Sequence, residues 1–224
     1  MPVDYIIQEL VTYPLEVSVF YYRYPDQQKG VITGFIQKDL MDVTGNGSST
    51  LWELIQAHPK ARHRADEMRI KHEAHLKTVL PEGERYILTY AANLNRGATF
   101  TNLKDQIDDR LLQLFDAISH PAQFYYGRYD IKCRSVEDLK RGEHFTILEF
   151  NGSGAEPNHV YHSGYSLFDA YKVFLMHWKV LFRISRYNHK KGIRYWPFKK
   201  GWRFLRGAKK HLQILEKYDT EILI

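Results

Sequence analysis

Two short segments constrain this chain more than any other feature: Gly127-Arg128-Tyr129-Asp130 and, further on, Ile147-Leu148-Glu149-Phe150-Asn151. Both read as strands, and side chains at i and i+2 of a strand point to the same face. Arg128 and Asp130 therefore share a face, as do Glu149 and Asn151. If the two strands are neighbours, an arginine, two carboxylates and a carboxamide converge. That set suits Mg²⁺, which takes hard oxygen ligands and is commonly held by one or two carboxylates together with substrate phosphates. The arginine could brace a phosphoryl group or a developing oxyanion. Alternating charges also occur on any solvated sheet. Here, however, the polar groups interrupt strongly apolar strands, and Asn151 is followed at once by Gly152-Ser153-Gly154. A carboxylate ending an apolar strand costs stability unless it binds something, so the spacing favours a metal–phosphate site.

The 224 residues suffice for one large domain or two small ones. The single cysteine, Cys133, excludes an intramolecular disulfide and makes a reducing compartment, the cytoplasm, the expectation. Its odd spacing from Asp130 puts it on the opposite, core face. No segment approaches the roughly 20 apolar residues of a membrane span. The net charge of +6 is uneven. Residues 183–210 hold many Lys and Arg and no acid, interleaved with Tyr187, Tyr195, Trp196, Phe198, Trp202 and Phe204. Basic residues mixed with aromatics can bind nucleic acid or anionic lipid. No nucleic-acid motif accompanies them, so nucleic acid is disfavoured. The expectation is a helical cap with its aromatics packed inward and its charges solvated.

Along the chain, strands are expected over 3–10, 16–24 and 30–38, the first two separated by a turn at Pro14. Thr50 should cap a helix starting at Leu51. A charged amphipathic helix is expected over 60–79, a strand over 85–91, a polar loop over 93–101 and a helix over 104–118. A short helix capped by Ser135 separates the two site strands. Long helices follow over 165–187 and 202–218. Strands and helices interleave without a regular βαβ repeat, which argues for an α+β fold. A strand starting at residue 3 leads us to expect that a further segment normally precedes it.

Taken together, these segments resemble the ATP-grasp superfamily of carboxylate–amine ligases. Ile6-Ile7-Gln8-Glu9-Leu10-Val11 looks like its adenine-holding hinge strand, and Glu16 sits like its ribose-binding acid. Val43 to Ile55 and Ala92-Asn93-Leu94-Asn95-Arg96-Gly97 resemble segments of cyanophycin synthetases and related ligases, the second being a loop that approaches the phosphates. Arg128-Tyr129-Asp130 and Glu149-Phe150-Asn151 look like the oxyanion arginine and metal ligands of D-alanine–D-alanine ligases. The resemblance spans residues 3–160. It departs from the family in having Gln8 where Glu is commoner, and in beginning after the family's upstream domain and its phosphate-clamping lysines.

The resemblance implies a partial ATP-grasp fold with antiparallel sheets flanked by helices. The end of the central subdomain would fall at 1–40, a subdomain carrying the metal site at 41–164 and a basic helical extension at 165–224. Gln8, Glu9 and Val11 would read adenine, Glu16 ribose, and Asn93 and Arg96 the phosphates. Asp130, Glu149 and Asn151 would hold Mg²⁺, with Mn²⁺ as a substitute, and Arg128 would stabilise negative charge during catalysis. The implied reaction is ATP-dependent activation of a carboxylate to an acyl phosphate, followed by attack of an amine. The acid and amine stay unidentified, and a homodimer is compatible with the sequence. The alternative is a non-catalytic nucleotide-binding or interaction module, a remnant of such an enzyme. A third reading makes 183–210 an anionic-surface binder. His72 and His75 are expected on a solvated helix face, since no third zinc ligand is evident. His159 and His162 follow the site loop and face either substrate or core. The Gly45–Gly47 loop, taken alone, reads as a plain turn.

Overall fold

The structure, a computed structural model, describes residues 7–161 and 164–222, with side chains described as far as 215. In chain order the strands are β1 Leu15–Tyr22, β2 Val31–Asp39, β3 Asp42–Thr44, β4 Arg85–Ile87, β5 Thr99–Asn102, β6 Tyr126–Cys133 and β7 Phe145–Asn151. The α-helices are α1 Leu51–Ala57, α2 Ala65–Lys71, α3 Asp109–Ser119, α4 Val136–Arg141, α5 Leu167–Lys190 and α6 Phe198–Ile222. The chain forms two compact units. One comprises the chain up to Leu40 with Ala91–Tyr187, the other Met41–Tyr90 with the chain from Asn188 onward. The fold class is α+β, with antiparallel sheets flanked by helices and two helices at the C-terminal end.

The first unit is built on a five-stranded sheet in the order β5-β2-β1-β6-β7, every neighbour antiparallel. Its alternation separates two faces. Val17, Val19 and Tyr21 on β1, Phe35 on β2, and Tyr129, Ile131 and Cys133 on β6 join Leu111 and Phe115 of α3 and Leu139 of α4 in one core. Each large apolar side chain fully buried there contributes about 1.5–3 kcal/mol. Cys133 lies on this face, as its spacing requires. The opposite face carries Glu16, Ser18 and Phe20 of β1. At the Phe20 end it is covered by Tyr126 and by Val180 and Ile184 of α5. At the other end it is polar. Gly34, opposite Phe20, leaves the space that the buried His159 fills; a Cβ on Gly34 would lie 2.2 Å from the ring.

The second unit contains the β3–β4 ladder and a small core of Met41, Val43, Leu51, Ile55, Met68 and Leu88. Thr50 caps α1 as expected, in a full capping box with Glu53. Gly45 and Gly47 donate their amides to Glu84 O and Leu80 O, so this loop is a packed turn.

Several expected elements differ. Residues 7–14 form no strand, and residues 3–6 of the expected first strand lie outside the described residues. The expected helix over 60–79 is broken. Only α2 is α-helical, flanked by 3₁₀ turns at Ala61–Arg64 and Glu73–His75. The cause is tertiary: α1 needs partners for its first amides, and Leu51 and Trp52 donate to Thr78 O and Leu76 O. That holds Leu76 and Thr78 beside the start of α1, with Val79 bridged to Thr50. His72 is buried rather than solvated, its ring bonded to Tyr86 Oη at 3.2 Å and Leu88 O at 3.0 Å. The polar loop over 93–101 ends in a strand, because β5 pairs with β2.

Candidate functional site

Strand register brings the site together. On β6 and β7, Arg128 lies opposite Asn151 and Asp130 opposite Glu149. On β1 and β6, Ser18 lies opposite Asp130 and Glu16 opposite Lys132. Directly opposed residues share a face, so β1, β6 and β7 aim these side chains to one side. The register shifts by one residue between Asp130 and Ile131, leaving Leu148 as the extra residue of a bulge in β7. Such a bulge re-aims neighbouring side chains. Gly127 allows the two strands to approach, since a Cβ there would sit 2.2 Å from Asn151 O.

Asp130 is the hub, 4% exposed. Arg128 grips both its oxygens, with Nε at 3.1 Å from Oδ1 and Nη2 at 3.1 Å from Oδ2. Lys38 Nζ lies 3.1 Å from Oδ1 and also reaches Glu16 Oε1 at 3.4 Å. The Ser18 hydroxyl donates to Oδ1, and Asn151 Nδ2 donates to Oδ2 at 3.2 Å. Burial on its own would raise the Asp130 pKa. The hydrogen bond from Arg128, the charges of Lys38 and Arg128, and the Ser18 hydroxyl outweigh it and hold the carboxyl below its ordinary value. Glu16 moves the other way: burial lifts its pKa, partly offset by Lys38. Glu149, opposite Asp130, is exposed.

The polar end of this face opens into a cleft of about 490 Å³ lined by Lys38, Asn93, Asn95, Arg128, Glu156 and Asn158. That volume lies within the range of small-molecule sites, about 300–1,000 Å³. Arg128 Nη1 donates to Glu156 O at 3.1 Å, and the buried Asn158 reaches Ser18 Oγ at 3.4 Å. The cleft thus presents two cationic side chains and several amides in front of a buried carboxylate, which equips it to bind an anion.

The expected residues distribute unevenly. Arg128, Asp130, Glu149, Asn151 and Glu16 come to one face. Asn93 lines the cleft, and its Oδ1 accepts from Arg96 N at 2.9 Å to cap the 3₁₀ turn Leu94–Arg96. Arg96 is exposed at the end of that turn. Gln8 and Glu9 are exposed in an irregular segment, and Val11 O accepts from Lys132 Nζ at 3.2 Å. His159 is buried, whereas His162 lies outside the described residues. Sequence reasoning missed Lys38, Ser18 and Asn158. Lys38 lies on a strand recognised as such, but its place beside Asp130 depends on a pairing between strands far apart in sequence.

Among the described residues no cluster of three or more His, Cys, Asp or Glu is placed to hold a metal ion. Asp130, Glu149 and Asn151 form a mixed set of two carboxylates and a carboxamide. Their hard oxygens fit Mg²⁺ by donor chemistry. At present, though, Asp130 is neutralised by two cations and Asn151 turns its N–H₂ toward it.

No protein-family model matches the sequence, and no curated protein matches it. Among solved structures the chain is similar to a bifunctional glutathione synthetase from Pasteurella multocida, at 13% identity and a TM-score of 0.47. The match covers 75% of this chain and 24% of that protein, so the chain spans about a quarter of it. A likeness of that degree identifies neither a family nor an activity.

Proposed function

We propose that the first unit is the Mg·ATP-binding part of an ATP-dependent carboxylate–amine ligase of ATP-grasp type. One observation carries the reading: Glu16, Lys38, Arg128, Asp130, Glu149 and Asn151, drawn from four strands, face the same side of one sheet beside a cleft. The ordered sequence resemblance over residues 3–160 supports it independently. Lys38 and Arg128 would draw the phosphate oxygens of the nucleotide. Asp130, Glu149 and the Asn151 carbonyl would hold Mg²⁺, which when bound would offset the charge of the triphosphate. Each charge would keep a partner, because Lys38 and Arg128 would meet phosphate and the Asp130 carboxylate would meet the metal. Arg128, which lines the cleft, would stabilise charge on an acyl phosphate. Such chemistry relies on positioning and electrostatics rather than on a protein nucleophile.

The second reading is a nucleotide-binding module without catalysis. It is favoured by the segment expected to hold adenine, where Gln8 and Glu9 are exposed and the described residues 7–11 form no strand. Hydroxylamine separates the two, since it captures an acyl phosphate as a hydroxamate. Incubation of the chain with Mg·ATP, hydroxylamine and a panel of carboxylic acids should yield hydroxamate with at least one acid, and Arg128→Met should abolish it. Nucleotide binding with no hydroxamate from any acid would favour the module.

A further inference from the structure

The apolar residues between 191 and 214 do not pack inward. Every residue from 202 to 214 is exposed, and so is every residue from 191 to 200. Phe198 is 81% exposed, Trp202 49%, Leu205 62% and Leu212 59%. These four follow one another at intervals of 4, 3 and 7 residues and, at about 100° per residue, form one side of α6. Lys199, Arg203, Arg206 and Lys210, at intervals of 4, 3 and 4 residues, form the adjacent side. Residues 183–215 contain no acid. The helix therefore carries an apolar aromatic side next to a cationic side, with Lys209 set within the apolar one.

A water-facing helix does not need Phe198 and Trp202, and a helix packed in a core does not need an unbroken row of cations. The aromatic side chains also sit against cations: Lys200 Nζ lies 4.4 Å from the Trp196 ring centre, and the Arg206 guanidinium 5.3 Å from that of Trp202. Long cationic side chains can lie along an apolar surface while their charge reaches outward. No described helix is long and apolar enough to cross a membrane, so a helix of this kind lies along a bilayer surface rather than through it.

From this charge complementarity we infer that α6 is a docking surface for anionic lipid. Phe198, Trp202, Leu205 and Leu212 enter the headgroup–acyl boundary. Lys199, Arg203, Arg206 and Lys210 meet lipid phosphates and carboxylates. The inference is independent of the nucleotide site, because it rests on residues of the other unit.

The full chain is sedimented with vesicles of phosphatidylcholine alone and of phosphatidylcholine mixed with phosphatidylserine. It should pellet with the mixed vesicles and bind the neutral ones at least about tenfold more weakly, with added salt weakening the first interaction. Trp202→Glu combined with Leu205→Glu should weaken binding by at least about tenfold, and so should replacing the four cations by Gln. All six positions are exposed, so the thermal unfolding midpoint should not move, which separates lost docking from lost folding. Failure of the wild-type chain to pellet would overturn the proposal. So would vesicle binding that ignores the Trp202 and Leu205 changes, which would point to plain charge attraction of the kind that serves nucleic acid. A lipid-free dimer dissolved by Trp202→Glu, without vesicle binding, would assign the face to a second copy of the chain.

Discussion

Asp130 shows how the site is poised. Its charge is matched by Arg128 and Lys38, and both its oxygens accept hydrogen bonds. Removing that charge strands two cations on a buried face. Asp130→Asn should therefore cost about 3–5 kcal/mol, read by urea unfolding at neutral pH. The folded pKa is depressed, so this stabilisation is present above the ordinary carboxylate value of 3.8 and is lost as pH falls through the folded value. Glu149 is the cleaner probe because it is exposed. Glu149→Gln should leave stability within about 0.5 kcal/mol of wild type while weakening Mg²⁺-dependent nucleotide binding, measured with a fluorescent ATP analogue. Period-two alternation made the Arg128–Asp130 and Glu149–Asn151 pairs legible in the sequence. Lys38, Ser18 and Asn158 were not legible, because they join Asp130 through strand register and loop packing that local pattern does not encode.

Elements were legible where local chemistry decides them. The Thr50 capping box set the start of α1, and Thr50→Ala should cost about 1 kcal/mol, read from the shift in unfolding midpoint. Ser135 likewise caps α4. Where long-range demand decides, local pattern failed. Residues 76–79 satisfy α1 instead of continuing a helix, and β5 forms because β2 offers it an edge. The packing of α5 on the sheet adds a pH dependence. His177 is fully buried against Phe20, with its Nδ1 3.4 Å from Tyr126 Oη and its Nε2 without a hydrogen-bond partner. Burial, reinforced by His159, lowers its pKa from 6.5 to about 4. Between those values the unfolded chain takes up a proton that the folded chain refuses, so stability falls with falling pH. The loss from this group should be about 2 kcal/mol between pH 7 and pH 5. His177→Leu should flatten that part of the profile, and an unchanged slope would contradict the assignment.

Across the whole molecule the sequence pattern indicated an α+β chain with helices at its C-terminal end, and the family resemblance implied the antiparallel sheets that the structure has. It did not show that the chain leaves the first unit after Leu40 and returns at Ala91, because that excursion is defined by two separate cores rather than by any linker composition. The expectation for the basic segment reversed at this scale. Amphipathic spacing alone is the same whether the apolar side faces a core or lies open, and in α6 it lies open. The central claim, that the polar face of the five-stranded sheet takes Mg·ATP, is tested most directly by calorimetric titration of the intact chain with a non-hydrolysable ATP analogue, with and without Mg²⁺. Saturable binding to one site, strengthened by Mg²⁺ in wild type but not in Glu149→Gln, is the predicted result. A folded chain that binds no nucleotide, or binds it equally well with and without Mg²⁺, would contradict the account.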